Sequence, residues 1–358
     1  MHIPASGAFR RCMFLINPVK SPGGARRLKR KLMRLQTGSI VESSSREHFQ
    51  SAVRKFLRDD LKHLIIWGGD GSVHTAINEI MRFRDRPLMG LEKSIAFLRG
   101  GSGNGYHDSY LLPRRLASQL SSCAESVWNH RILAVDLLRI EVGDRFIFGQ
   151  LAGLGFDVHV LKMREARLSG VGKVHSGFFN YLVPTVSRLL RDFHRVRGAY
   201  TLEVFEAERI IEERLQCKKE AFERLVKELQ CQMLEIGKRD FYGNGFRICP
   251  DAVPTGGLMD IYLFNFDQRF QAIVNAARLW KGRYRRVNRE AAGPFIEHLR
   301  AKRIRIHTGS SLSLHVDGEL YSVPEDERGG CRIGISVLPE AISILVSAGY
   351  QKDRLCTE

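Results

Sequence analysis

Between Leu64 and Ile80 the chain reads LIIWGGDGSVHTAINEI, an apolar run closing on Gly68, Gly69, Asp70, Gly71 and Ser72 before a helical pattern begins. Glycines let a backbone approach a phosphate with no Cβ in the way. The helix that follows would offer its unused N–H groups and positive dipole end to the same anion. A carboxylate in such a turn, Asp70, suits a bound cation or its water. A tight strand-to-helix turn capped by Ser72 accounts for the same residues without any ligand. A second turn, FLRGGSGNGYHDSY, repeats the pattern with Gly100, Gly101, Ser102, Gly103 and Asn104. A third, INPVKSPGGA, brings Asn17, Ser21, Gly23 and Gly24. Three small-residue turns on one sheet edge would make a clamp for a polyphosphate, which turn chemistry alone does not ask for.

These turns need a scaffold, and the first 131 residues supply its signals. CMFLIN, SIVES, HLIIWGG and KSIAFLRGG are short apolar runs, separated by GGARRLKRKLMRL, REHFQSAVRKFLRD and SVHTAINEIMRF at helical spacing. That alternation predicts an α/β domain with an open parallel sheet and helices on both faces. From Ile132 the pattern changes: RILAVDLLRIEVGDRFIFGQ reads as paired strands around a Gly-Asp turn. The later runs predict a β-rich antiparallel second domain over 132–338, and 339–358 is expected to return to the first domain. Within the second, 206–235 is dense in Glu, Lys and Arg; it reads either as an amphipathic helical insertion or as a charged hairpin.

Lys plus Arg number 56 against 39 Asp plus Glu, a formal charge of +17, which favours anionic partners. Seven scattered cysteines with no CxxC fit free thiols in a reducing cytoplasm better than a disulfide framework. No apolar run reaches the roughly 20 residues of a membrane span, and no signal peptide is read at the amino terminus. Membrane contact is therefore expected to be peripheral. NAARLWKGRYRRVNREAAGPF places Trp280 and Tyr284 four apart among Arg278, Lys281, Arg283, Arg285 and Arg286, a pattern that suits an anionic bilayer surface if one helix carries both rings. Single-stranded nucleic acid, or packing of both rings onto their own domain, would use the same spacing.

As a set, NPVKSPGG, GGDGS followed by Asn78-Glu79, GSGNGY, LAGLGFDVHV, FYGNGFRICPDAVPTGGLMDIYLF and LHVDGELYSV resemble, in order, the diacylglycerol kinase catalytic domain shared by bacterial lipid kinases, sphingosine kinases and ceramide kinases. Ser72 and Ser102 stand where the family has Thr, and Gly105 where it has Asp. The resemblance spans nearly the whole chain. It implies ATP and Mg²⁺, an active site in the cleft between two domains, and a lipid hydroxyl as acceptor. It assigns Asn17, Ser43, Gly68, Gly69, Gly71, Ser72, Glu79, Gly101, Ser102, Gly103 and Asn104 to the nucleotide. Glu319 becomes the base that accepts the hydroxyl proton, and Asp70 part of the catalytic network with Mg²⁺; His74 and Asp317 read first as a helix residue and a turn former. A homodimer is a reasonable expectation.

In bacterial relatives a second, structural Mg²⁺ is held by an Asp and two backbone carbonyls, which here would be those of Val253 and Leu258. The Asp is replaced by Gly256, so either Asp260 or Asp251 substitutes or the site is lost. Two rival functions share some of these features. NAD kinases carry GGDGS/T and Asn-Glu too, but a Gly-Ser-Thr-Ala-Tyr stretch is missing here. A basic, non-catalytic binding protein on a degenerate kinase fold is the other; no nucleic-acid-binding motif supports it, and Asp70, Asn104 and Glu319 are all in place.

Overall fold

The computed structural model describes residues 7–35, 37–84, 93–169, 197–212, 217–289 and 295–350. It divides into two compact units, Met1–Val135 with Glu340–Glu358, and Asp136–Pro339.

In the first unit strands and helices alternate: β1 (Cys12–Ile16), α1 (Pro22–Leu32), β2 (Ser39–Glu42), α2 (Arg46–Arg58), β3 (His63–Gly68), α3 (Asp70–Arg84), β4 (Ser94–Arg99), α4 (Gly105–Ser109) and α5 (Leu116–Trp128). The sheet is parallel in the order β2–β1–β3–β4. It is continued by Ile344, near the chain's end, which pairs in parallel with Ile95. β1 and β3 are buried at every position, as strands with helices on both faces must be. In α2, Phe49, Ala52, Val53, Phe56 and Leu57 are buried at helical spacing, and the Ser45 hydroxyl caps the first turn by accepting the His48 N–H at 3.1 Å.

The second unit is antiparallel. Its elements are β5 (Ile132–Val142), which enters from the first unit, β6 (Arg145–Gly149), β7 (Leu151–Gly155), α6 (Phe156–Ser169), β8 (Gly198–Glu212), β9 (Cys217–Cys231) and β10 (Met233–Gly237). Then come β11 (Phe241–Gly243), β12 (Phe246–Arg247), β13 (Met259–Phe264), α7 (Arg269–Val274), α8 (Ala276–Trp280) and α9 (Tyr284–Arg289). The last are β14 (Ile296–Thr308), β15 (Leu312–Val316), β16 (Glu319–Val323) and β17 (Cys331–Leu345). The main order is β16–β15–β7–β10–β13–β14–β17.

The charged stretch 206–235 is the hairpin of its two alternatives. β8 pairs along β14 and carries β9 on its other edge, with Tyr200, Leu202 and Val204 buried at every second position. Glu203, Glu208, Arg209, Lys219, Glu220 and Arg224 face one another as exposed or half-exposed ion pairs across the hairpin. Such pairs add little stability singly, but they suit opposite strands better than one helix face. Residues 213–216 lie outside the described residues. Glu235, counted with this stretch by sequence, belongs instead to β10 and is fully buried.

Of the readings open for Trp280 and Tyr284, packing onto their own domain holds, although one helix does not carry both rings. Trp280 and Tyr284 do not share a helix: α8 ends at Trp280, and Gly282, at φ +65°, turns the chain before α9. Tyr284 is buried, its hydroxyl donating to the Ile248 carbonyl at 2.8 Å, while Trp280 stacks on Phe246 at 5.0 Å. Both rings pack onto their own unit.

Candidate functional site

In the first unit the three glycine turns meet at the carboxyl ends of β1, β3 and β4. At Gly101 an added Cβ would lie 2.2 Å from the Gly69 Cα, and one at Gly69 would lie 3.0 Å from the Gly101 Cα. Both positions must be glycine for the two turns to touch, whatever they bind. Gly100 donates its N–H to the Gly68 carbonyl at 2.9 Å, closing the contact. A Cβ at Gly68 would collide with the Ser72 hydroxyl, 2.5 Å away, and that hydroxyl accepts from Asn17 Nδ2 at 2.9 Å. The INPVKSPGGA turn and the Gly68–Ser72 turn are therefore pinned together by Asn17 and Ser72.

Asp70 joins the Gly68–Ser72 turn to the Gly100–Asn104 turn. Its Oδ2 accepts the Gly105 N–H and its Oδ1 the Tyr106 N–H, both at 3.0 Å. Gly103 passes so near that a Cβ there would sit 2.7 Å from Oδ2. A carboxylate oxygen that accepts one N–H keeps a further lone pair, so the pairing leaves capacity for a cation or its water. Asn104, left-handed at φ 58°, holds its own turn by donating from Nδ2 to the Gly101 carbonyl at 2.8 Å.

Other residues of the set do structural work. The Ser43 side chain is buried and donates to the Ile16 carbonyl at 3.2 Å. Glu79 is paired with Arg54 at 2.6 Å, tying α3 to α2. His74 is buried in α3 beside Asn78, whose side chain donates to the His74 carbonyl. What stays partly exposed is Gly69–Gly71 and Gly101–Asn104, around the start of α3, where helix geometry leaves N–H groups unused. Gly23 adds backbone with open space where a Cβ would point. These residues fit a polyphosphate.

Sequence reading passed over His107, fully buried and edge-on to the Phe97 ring at 6.1 Å. Burial, opposed by Asp70 and aided by Arg99, pulls its pKa down to about 4, so the ring is neutral.

In the second unit Glu319 opens β16, directly after a two-residue turn with Asp317 at φ 52° and Gly318 at φ 87°. Val316 pairs with Glu319, so the turn is a tight hairpin of the kind Asp-Gly favours. Glu319 is partly exposed. Asp317 does more than form the turn. Its Oδ1 accepts N–H groups from Gln150 at 3.2 Å and Leu151 at 3.1 Å, and the Arg239 guanidinium at 3.1 Å. The turn that carries Glu319 is thus fastened from below by a buried ion pair.

Beside the turn lies a cluster of three groups, His315, Asp157 and Glu235. His315 Nε2 lies 2.5 Å from Asp157 Oδ2 and 3.5 Å from Glu235 Oε2, and Gly153 leaves the room, since a Cβ there would be 2.4 Å from both Glu235 Oε1 and His315 Nε2. Burial alone would lower the imidazolium's pKa; the two carboxylates outweigh it and push it up to about 10. Burial, with Asp157 adding to it, holds Glu235 well above the usual carboxylate range.

Of the alternatives for the second metal site, its loss is the one these residues fit. Lys238, fully buried, donates from Nζ to the Leu258 carbonyl at 2.6 Å and the Thr255 carbonyl at 3.2 Å, and pairs with Asp136 Oδ2 at 2.9 Å. The same Asp136 oxygen accepts the Gly257 N–H at 2.8 Å. Neither proposed substitute is available: Asp260 is engaged by His298 and Arg300, and Asp251 accepts the Tyr262 hydroxyl. An ammonium on the Leu258 carbonyl excludes a divalent cation by charge as well as by space.

Lys238, Arg239 and Asp240 are consecutive, all buried and all paired, Asp240 with Arg247 at 3.1 Å. The signal was legible: three charges wedged between the apolar strand MLEIG and the glycine turn FYGNG. It was missed because a buried lysine cannot be told from an exposed one without its partner.

An α/β unit with interlocked glycine turns, followed by an antiparallel unit with an acidic hairpin turn, defines a kinase-type architecture. Residues 11–140 match the diacylglycerol kinase catalytic domain, and residues 185–346 the YegS C-terminal NAD kinase beta sandwich-like domain. The chain thus carries a diacylglycerol kinase catalytic domain over residues 11–140, followed by the second domain of the same two-domain plan. It is 22% identical over 284 residues to a diacylglycerol kinase of Mycobacterium tuberculosis, covering 79% of this chain and 76% of that one. A crystal structure of a diacylglycerol kinase from Bacillus anthracis shares the fold, with a TM-score of 0.60 at 14% identity over 95% of this chain and 98% of that one.

Proposed function

We propose that the protein is an ATP-dependent lipid kinase. A primary lipid hydroxyl attacks the γ-phosphorus, its bond to the β,γ-bridging oxygen breaks, and ADP leaves with that electron pair. Glu319 takes the hydroxyl proton, and the amides around Gly69–Gly71 and Gly101–Gly103 hold the phosphates. Bound Mg²⁺ would supply neutralisation of the phosphate charge, and Asp70 is the residue that would hold it or its water. The observation that carries this reading is the double hydrogen bond to Asp70 from the helix after the Gly100–Asn104 turn. It makes the glycine turns one preformed body rather than three separate loops. The lipid is reached at an anionic membrane surface, in keeping with the +17 charge.

The test is label transfer from γ-labelled ATP to diacylglycerol, sphingoid base, ceramide or phosphatidylglycerol in mixed micelles, beside Glu319→Ala. Label in one lipid, lost by orders of magnitude in the variant while nucleotide binding persists, supports the reading. Label in none of them, with nucleotide bound, removes these acceptors. Phosphorylation of NAD is the second reading, supported by the description of the domain matched over 185–346, and NAD belongs in the same panel.

A further inference from the structure

Trp280 and Tyr284 pack onto their own unit, yet the same segment exposes a different set of apolar side chains. Phe270 is 55% exposed, Ile273 43% and Val274 71%. They stand at i, i+3 and i+4 on α7 and so share one face. Ala272 and Asn275, between and beside them, are buried and fix the helix to the unit. These are three of the few large hydrophobic residues exposed among the described residues, and here alone three lie within one helix.

Charge surrounds this face. From Asn265 to Arg289 the sequence holds seven Arg or Lys residues and a single acid, Asp267. Arg269, Lys281, Arg283, Arg286 and Arg289 are exposed, on α7, after α8 and on α9. Asp267 is itself 3.9 Å from Arg197, which leaves the segment's charge uniformly positive.

We infer that α7 to α9 is a bilayer-docking surface, in which Phe270, Ile273 and Val274 enter the headgroup–acyl boundary and the surrounding arginines and Lys281 hold anionic headgroups. This rests on the lipid-kinase reading for its purpose but not for its evidence. An apolar helix face ringed by basic residues is the pattern of interfacial membrane binding. Single-stranded nucleic acid is the poorer fit. It binds through stacked rings, and two of these three side chains are aliphatic. A second copy of the chain is also the poorer fit, because a self-complementary interface would set like charges against each other.

The test is co-sedimentation of the full chain with phosphatidylcholine vesicles, with and without phosphatidylglycerol, using Glu319→Ala so that turnover plays no part. Binding is expected to need the anionic lipid and to weaken with salt. Phe270→Ser with Val274→Ser should lower the partition coefficient at least about 10-fold, and Lys281→Gln or Arg286→Gln roughly fivefold each. All four sites are exposed, so unchanged melting temperatures will separate docking from folding. Equal binding to neutral vesicles, unchanged partition of the double variant, or a dimer in solution that the double variant dissolves would each overturn the inference. Vesicle binding by a chain that phosphorylates no lipid would keep the surface and remove the kinase reading.

Discussion

The Lys238 ammonium donates to the Leu258 carbonyl at 2.6 Å, the carbonyl that the sequence resemblance offered to a divalent cation. The charge is now covalent. Burial lowers the pKa of this lysine, while the Asp136 carboxylate opposes the shift and balances the charge.

Thermal unfolding in the absence of nucleotide should therefore be unaffected by a chelator. A melting temperature that falls on chelation and recovers with Mg²⁺ would show a structural metal after all. Lys238→Met should cost about 3–5 kcal/mol, because it leaves Asp136 buried without its partner. Lys238→Met with Asp136→Asn should recover part of that loss in urea titrations.

Asp70 is predicted to act on both fold and chemistry. Asp70→Ala leaves the Gly105 and Tyr106 N–H groups without acceptors, at a cost of about 1–3 kcal/mol. Phosphoryl transfer should fall much further than that loss accounts for. A variant that is destabilised but keeps its full turnover number would reduce Asp70 to a structural tie.

The glycines separate packing from binding. Gly101→Ala would put a Cβ 2.2 Å from the Gly69 Cα, forcing the two turns apart, and should destabilise by about 1–3 kcal/mol. Gly23, in the first turn of α1 with open space beyond it, should gain stability on change to Ala, by roughly 0.5–1 kcal/mol. If phosphate lies against that backbone, the same change weakens nucleotide binding. Calorimetry on Gly23→Ala that shows unchanged affinity would exclude this turn from the phosphate site.

Stability should pass through a plateau near neutral pH. The pKa of His107 is lowered from 6.5 to about 4, so its contribution is present above 6.5 and is lost as pH falls towards 4. His63, also drawn down to about 4 by burial, acts in the same direction. The pKa of His315 is raised to about 10, so its contribution is complete below 6.5 and is lost as pH rises through 10. The Gly318 N–H points at His315 Nδ1 from 3.4 Å and favours a neutral ring there, but two carboxylates on the other nitrogen outweigh one long contact. Urea midpoints across pH should show both limbs, with His107→Phe flattening only the acid one. A steep acid limb that survives His107→Phe with His63→Asn would assign the loss to carboxylates instead.

Much of this was legible in the chain. The apolar runs that end in glycine and precede helical spacing, such as HLIIWGG before SVHTAINEI, determine the parallel sheet, because backbone sterics and periodicity act locally. The same reading placed Gly69, Gly101 and Asp70 at one edge. It gave the charged stretch no single form, because Leu225 and Leu229 stand at helical spacing within β9, and pairing with β8 overrides that local preference. Trp280 and Tyr284 deceived for a related reason: one left-handed glycine between them, at 282, breaks the helix that spacing implied.

By itself, then, the sequence determined the order of elements, the glycine turns and the acidic hairpin turn, all set by neighbours in the chain. Only the tertiary structure decided what each charge meets. Lys238 and Asp136 are 102 positions apart, Arg239 and Asp317 are 78, and Glu235 shares His315 with Asp157. Whether a buried charge is a cost, a clasp or a proton carrier depends on the partner that folding delivers, and nothing local records that partner.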